Sequence, residues 1–294
     1  MSLCTLCPRN CRVNRESHTG ICSVTSEIML SRAALHHWEE PCISGIEGSG
    51  TVFFSGCALR CVYCQNHEIA LGKKGKIVSI RRLAEIFLEL QSKKANNINL
   101  VTPTHYIPQV CEAVRLARSE GLSVPVVYNS GGYESVESLR MLEGIVDVYL
   151  PDFKYFFAET ARRYCSAPDY PERAKEALAE MVRQRPVLSF NGRGIVKSGV
   201  IVRHLVLPGH VYEAKRIVDY LHTTYRNSII MSIMSQYTPV RNLPGFPELS
   251  RKLRKSEYEK VISHALSIGV ENAFIQEGDA ASESFIPEFN GEGV

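Results

Sequence analysis

The sequence predicts an α/β protein: a partial parallel (β/α)6 barrel of the TIM type behind an N-terminal cysteine-rich extension. Three observations carry this reading. Short apolar runs alternate with amphipathic helical patterns from residue 51 onward. Polar residues recur just after the apolar runs, where a parallel barrel places its active site. Finally, the ten cysteines are largely clustered, which indicates metal chemistry in a reducing compartment and therefore a cytoplasmic protein. A chain of 294 residues suits one large α/β domain plus an extension. The expected division is a separate unit over 1–50, the barrel over 51–278, and a loosely held tail over 279–294.

The elements follow in order. Residues 27–35 alternate loosely and read as a strand or hairpin, and the polar stretch His36 to Gly45 reads as a loop that could line a substrate pocket. Cys42 in that loop is equally readable as incidental. Thr51 to Phe54 is a short buried strand closing at Ser55-Gly56. Ser79 can cap a helix that places Ile80, Leu83, Ile86, Phe87 and Leu90 on one face. A strand over 98–102 precedes a helix over 107–119 stopped by Gly121, with Cys111 on its packed face. Further strands are expected over 124–128, 146–150, 200–207, 229–233 and 273–276. Helices are expected over 136–142, 174–182, 211–221 and 258–268. Strands alternating with helices of this length form parallel βαβ units.

The ends of these strands are chemically dense. The first is followed by Cys57, Cys61 and Cys64; the second by Thr102, Thr104 and His105; the third by Asn129, Ser130 and two glycines. The fourth ends at Asp152 and Lys154, and the fifth carries Arg203 and His204. The sixth ends at Ser235-Gln236-Tyr237 and the seventh at Gln276-Glu277-Gly278. One polar strand end is ordinary loop chemistry. Seven on one face form a site.

Net charge is +3 and no Lys/Arg run forms a stripe, which argues against a nucleic-acid partner. No stretch approaches ~20 apolar residues, and no apolar signal core opens the chain, which argues against a membrane partner. Cys57-x-x-x-Cys61-x-Tyr63-Cys64 places three thiols within reach of one inorganic centre. A structural zinc site needs four ligands, and His67 could complete a Cys3His knuckle. A cubane held by three cysteines leaves one iron open instead. Cys4, Cys7, Cys11 and Cys22, shaped by Pro8 and Gly20, are enough for a second, tetrahedral site of zinc or iron–sulfur type. His18 could replace one of the four.

The loop from Cys57 to Cys64, with Tyr63 before the third cysteine, resembles the signature of the radical S-adenosylmethionine (SAM) superfamily. That resemblance implies a [4Fe-4S] cluster on Cys57, Cys61 and Cys64, SAM chelated to its open iron, and Tyr63 near the adenine. Asp152-Phe-Lys154 and the strand bearing Arg203 resemble elements of the glycyl-radical-enzyme activases, typified by the pyruvate formate-lyase activating enzyme. Lys154 and Arg203 would then face the cofactor carboxylate, and Asp152 would help hold a cation. Two departures stand out. No Gly-Gly-Glu follows the second strand, so Thr102, Thr104 or His105 would have to meet the SAM ammonium. Asn129, next to Ser130, stands where those activases carry aspartate. The implied enzyme is a radical SAM oxidoreductase cleaving SAM to a 5′-deoxyadenosyl radical. Its implied partners are a reductant such as flavodoxin or ferredoxin and a glycyl radical enzyme. The alternatives are a small-molecule or peptide-residue substrate, or a non-catalytic electron carrier.

Overall fold

The structure is a computed structural model that describes residues 3–276 and 287–294. An antiparallel strand β1 (Ile28–His36) and a single helical turn α1 (Pro41–Ser44) precede the alternating region. There follow β2 (Ser49–Phe54), α2 (His67–Ala70), β3 (Lys76–Val78), α3 (Ile80–Ser92), β4 (Ile98–Val101) and α4 (Ile107–Ser119). Next come β5 (Val126–Ser130), α5 (Val136–Arg140), β6 (Val148–Pro151), α6 (Ala158–Cys165) and α7 (Tyr170–Gln184). The chain continues through β7 (Ser189–Phe190), β8 (Val196–Leu205), α8 (Val211–Tyr225), β9 (Ile230–Met234), α9 (Lys255–Ser267) and β10 (Ala273–Ile275).

The sheet order is β10-β9-β8-β6-β5-β4-β2-β1-β3, with β2 through β10 parallel along this path. β1 is antiparallel to both β2 and β3, and β7 pairs only with β8. The outcome is six βα units and a final strand, a curved sheet that does not close on itself. Ser79 caps α3 as expected, its hydroxyl accepting from the Arg82 N–H at 3.0 Å. Helix α6 was not legible in the sequence. Its buried residues Ala161, Tyr164 and Cys165 fall on one face, but the helix has only eight residues, shorter than the window over which a helical period is read.

Alternation sorts each strand between two faces. Val126 and Tyr128, Tyr149, Val200 and Val202 pack beneath the helices in the large core. Val127, Val148, Leu150, Ile201 and Ile230 form a second cluster on the concave face. Cys42 and Ile43 of α1 join that second cluster. Cys42 is therefore a packing residue, and α1 covers the inner face of the barrel.

Contacts cross both expected boundaries. β1, within the expected 1–50 unit, pairs along the whole of β2, from Leu30–Phe54 to His36–Ser49. The Gly291 N–H donates to Ser31 O at 3.0 Å, the Ala33 N–H donates to Glu292 O at 2.8 Å, and the Phe289 ring lies 5.3 Å from that of Phe53. The free edge of β1 offers unpaired backbone groups, and the tail satisfies them. Glu277, Gly278 and residues 279–286 lie outside the described residues. Among the described residues no helix is long and apolar enough to cross a membrane.

Candidate active site

Beyond β2 the chain turns through Gly56 (φ +92°) and Arg60 (φ +51°) to present Cys57, Cys61 and Cys64. The thiols are close enough to oppose one another's ionisation. Burial first, then the charges of Cys61 and Cys57, push Cys64 up to about 12. Cys61 goes the other way, to about 6. The neighbouring Cys165 thiol contributes most; burial opposes, and Lys154 and the Tyr155 hydroxyl assist. That hydroxyl lies 3.5 Å from Cys61 Sγ and donates to Tyr63 Oη at 2.8 Å. Backbone N–H groups of Leu59 and Arg60 point at Cys57, and that of Asn66 at Cys64. Buried sulfurs met by N–H donors and an ammonium suit an anionic iron–sulfur cluster. Among the described residues no three His, Cys, Asp or Glu side chains close up as for a single metal ion. A metal would have to draw the sulfurs in.

The next strand ends bring charge to this loop. Lys154 Nζ donates to Asp152 Oδ2 at 2.6 Å, and Arg203 Nε donates to Asp152 Oδ1 at 2.8 Å. Arg203 also donates to Asn129 Oδ1 at 2.6 Å and to Glu39 Oε2 at 3.0 Å. Burial works against an ionised Asp152, yet Arg203 and Lys154 outweigh it and hold the carboxyl below its usual range. Burial likewise opposes the Lys154 charge, and Asp152 with Cys61 outweighs it. A guanidinium has five N–H donors. Among the described residues three of those on Arg203 are used, which leaves two.

The sequence description of the Radical SAM superfamily matches residues 51–221, more than half the chain and the whole stretch from the cysteine loop through Arg203. The chain belongs to the radical SAM superfamily. Membership brings with it a [4Fe-4S] cluster and SAM, and the donor set of the loop fits both. Two curated proteins are similar. An uncharacterized protein of Methanocaldococcus jannaschii is 29% identical over 272 residues, covering 89% of this chain and 74% of that protein. A Haemophilus influenzae protein, provisionally named a glycyl-radical enzyme activating enzyme, is 27% identical over 117 residues, 38% of this chain and 44% of that protein.

Within this radical SAM site the residues read from the sequence divide. Asn129, Asp152, Lys154 and Arg203 form one connected group with the cysteine loop. Thr102 sits at the end of β4 with φ +59°, its N–H donating to Asn129 O at 2.8 Å. Thr104 donates to Glu134 Oε1 at 3.0 Å. His105 is turned away into packing. Its Nε2 donates to Ser55 O at 2.8 Å, its ring lies on Tyr106, and burial brings its pKa down to about 3. Ser130 accepts from the Gly132 N–H and hydrogen-bonds Glu134. Gly132 has φ +76°, and a Cβ there would lie 2.1 Å from Asp152 O, so only glycine lets this loop meet β6. Tyr63 lies edge-on to Tyr164 and Tyr237.

Three acidic residues were missed or misplaced by sequence reasoning. Glu39 and Glu40 stand in the loop expected to line a substrate pocket, but neither was singled out. They are buried beside Arg203, with Asn99 and Ser232 as further partners. Glu134 was missed because the strand-end reading stopped at Tyr133, one residue short. It is 2% exposed, and its Oε2 has no partner within hydrogen-bond distance among the described residues.

Cys4, Cys11 and Cys22 all bear on Cys7, which burial first and these neighbours second push up to about 12. His18 instead bonds the Ser17 hydroxyl at 2.9 Å on the exposed surface, apart from the cysteines.

Proposed function

We propose that this protein is a radical initiator of the activase kind, which uses Cys57, Cys61 and Cys64 with SAM to place a radical on a glycine of a partner protein. When bound and reduced, the cluster supplies one electron that cleaves the sulfonium of SAM homolytically, and the resulting 5′-deoxyadenosyl radical removes hydrogen from the substrate. The Lys154–Asp152–Arg203 group beside the three cysteines carries this reading, because an electron carrier would need no buried cations arranged around its cluster. Lys154 and the two spare N–H groups of Arg203 meet the cofactor carboxylate. A flavodoxin or ferredoxin supplies the electron. The partial likeness to the Haemophilus influenzae protein favours a protein glycine as substrate. A second reading, a small molecule or peptide residue, draws on a pocket of about 470 Å³ lined by Gln65, Glu68, Lys74, Val240 and residues 287–290. Anaerobic, reduced protein is expected to release 5′-deoxyadenosine from SAM and, with its partner, to give the electron paramagnetic resonance doublet of a glycyl radical. Absence of any 5′-deoxyadenosine from cluster-replete protein would refute the initiator reading. Turnover with a small molecule and no protein radical would select the second.

Glu134 is the acceptor for the SAM ammonium in this proposal, reaching the site that Thr104 was expected to serve. Burial pushes its carboxyl up to about 7, against the hydroxyls of Thr104 and Ser130. A carboxyl raised in the folded state favours folding while protonated, so this contribution is lost as pH climbs through about 7. An ammonium ligand favours the ionised form, so SAM affinity is expected to climb over the same interval. A hydrogen bond between charged groups is worth about 1.5–3 kcal/mol. Glu134→Gln should therefore weaken SAM binding by about one to two powers of ten at pH 8 and flatten its pH dependence, measured by calorimetry at pH 6 and pH 8. Unchanged affinity in Glu134→Gln and Thr104→Val alike would place the ammonium elsewhere, with Thr102 and the loop carbonyls as the next acceptors.

A further inference from the structure

The segment carrying the four N-terminal cysteines meets the catalytic loop at Cys22 and through Arg9. The Cys57 N–H donates to Cys22 O at 3.2 Å, a direct link between one residue of each group. A Cβ on Gly56 would lie 2.7 Å from that same carbonyl oxygen, so the two backbones touch. Arg9, between Cys7 and Cys11, donates from Nε to Ala58 O at 2.9 Å and from Nη2 to Cys165 O at 2.6 Å. The Arg9 guanidinium also lies 5.5 Å from the centre of the Tyr133 ring. Arg15 reaches the carbonyl of His105, whose ring holds Ser55 O.

The N-terminal loop is itself shaped around its thiols. A Cβ on Gly20 would stand 3.2 Å from Cys22 Sγ and 3.5 Å from Cys11 Sγ, so glycine keeps a space that both sulfurs border. Three non-glycine residues beside these cysteines are left-handed: Asn10 at φ +41°, Arg12 at +51° and Ser23 at +69°. Each costs on the order of 1 kcal/mol. The only similar residue between the catalytic cysteines is Arg60, which adjoins Cys61. No regular element lies between residues 3 and 27 to offset that strain.

We propose that Cys4, Cys7, Cys11 and Cys22 hold a thiolate-bound metal centre, Zn(II) or an iron–sulfide cluster, whose task is to fix the catalytic loop through Cys22 and Arg9. A closed four-thiolate site adds folding energy and has no open position for substrate. With the centre lost, the segment carrying Arg9 and Cys22 is released, and loop 55–61 loses two of its backbone anchors. The second part of this inference rests on the cluster assignment made above; the first does not.

The test begins with the Cys57→Ala/Cys61→Ala/Cys64→Ala variant of the full chain, isolated anaerobically, with zinc, iron and acid-labile sulfide measured per chain. Either about one zinc or about four iron with matching sulfide is expected, and the two results tell the metals apart. A chain with neither overturns the site. Cys11→Ser in the otherwise native chain is then expected to lower occupancy of the catalytic cluster at least fivefold, read from the resonance signal of the reduced protein. Arg9→Gln keeps all four thiols and serves if Cys11→Ser does not fold; it should retain the N-terminal metal and still lose catalytic cluster. Full catalytic occupancy in the folded variant overturns the bracing role. If the triple variant keeps its metal while native protein makes no 5′-deoxyadenosine, only the initiator reading falls.

Discussion

Cys57→Ala/Cys61→Ala/Cys64→Ala is expected to remove all SAM cleavage and the visible iron–sulfur absorption belonging to this loop, while the fold persists. The loop projects beyond β2, and β2 draws its stability from β1 and β4 on either side. In the proposed site these three sulfurs would hold the cluster, and a cubane could not be retained without them. The size of the effect is set by chemistry rather than packing, since the cluster held by these residues would supply the reducing electron. Single substitutions should approach the triple in activity, because all three thiolates would be needed to hold the cluster. The check is iron and sulfide content with 5′-deoxyadenosine release, beside a far-ultraviolet spectrum to establish folding. Zinc at this loop in native protein, with iron below stoichiometry, would overturn the cluster assignment.

Arg203→Met is expected to have the largest effect on stability. The guanidinium is only 14% exposed and neutralises Asp152 and Glu39, which are 18% and 11% exposed. Methionine fills much of the volume and removes the charge, leaving Glu39 facing Asp152 with Lys154 as the remaining cation. Breaking a buried pair from one side costs about 3–5 kcal/mol, because the surviving charge stays desolvated. For a domain of this size that is a fall in melting temperature of roughly ten degrees. Arg203→Lys should recover only part of it, since a lysine cannot reach Asp152, Glu39 and Asn129 together as the planar fork does. Removing Glu39 as well, in Arg203→Met/Glu39→Gln, should restore stability relative to Arg203→Met. A double variant no more stable than the single would show that Glu39 and Arg203 are not energetically coupled. SAM affinity should fall in every Arg203 variant, stable or not, which separates the binding role from the structural one.

The sequence by itself determined the alternating architecture, the cysteine loop and the charged strand ends. These signals are local: an apolar run of strand length, a serine cap at Ser79, three thiols at short spacing, a lysine two residues after an aspartate. Each is written within a dozen residues and read by periodicity or by the geometry of one loop. Only the tertiary structure decided how the strand ends are used. Arg203 and His204 are neighbours in the chain, yet alternation turns the first to Asp152 on the concave face, while the second bonds Phe153 O. Thr104 and His105 read as equivalent candidates; one meets Glu134 and the other packs under Ser55. Glu39, 164 residues from Arg203, becomes its ion-pair partner because β1 runs antiparallel to β2 and delivers the following loop to the barrel interior. The contact between Cys22 and Cys57 is of the same kind. Pairings across such distances depend on strand direction and sheet order, which residue spacing does not encode.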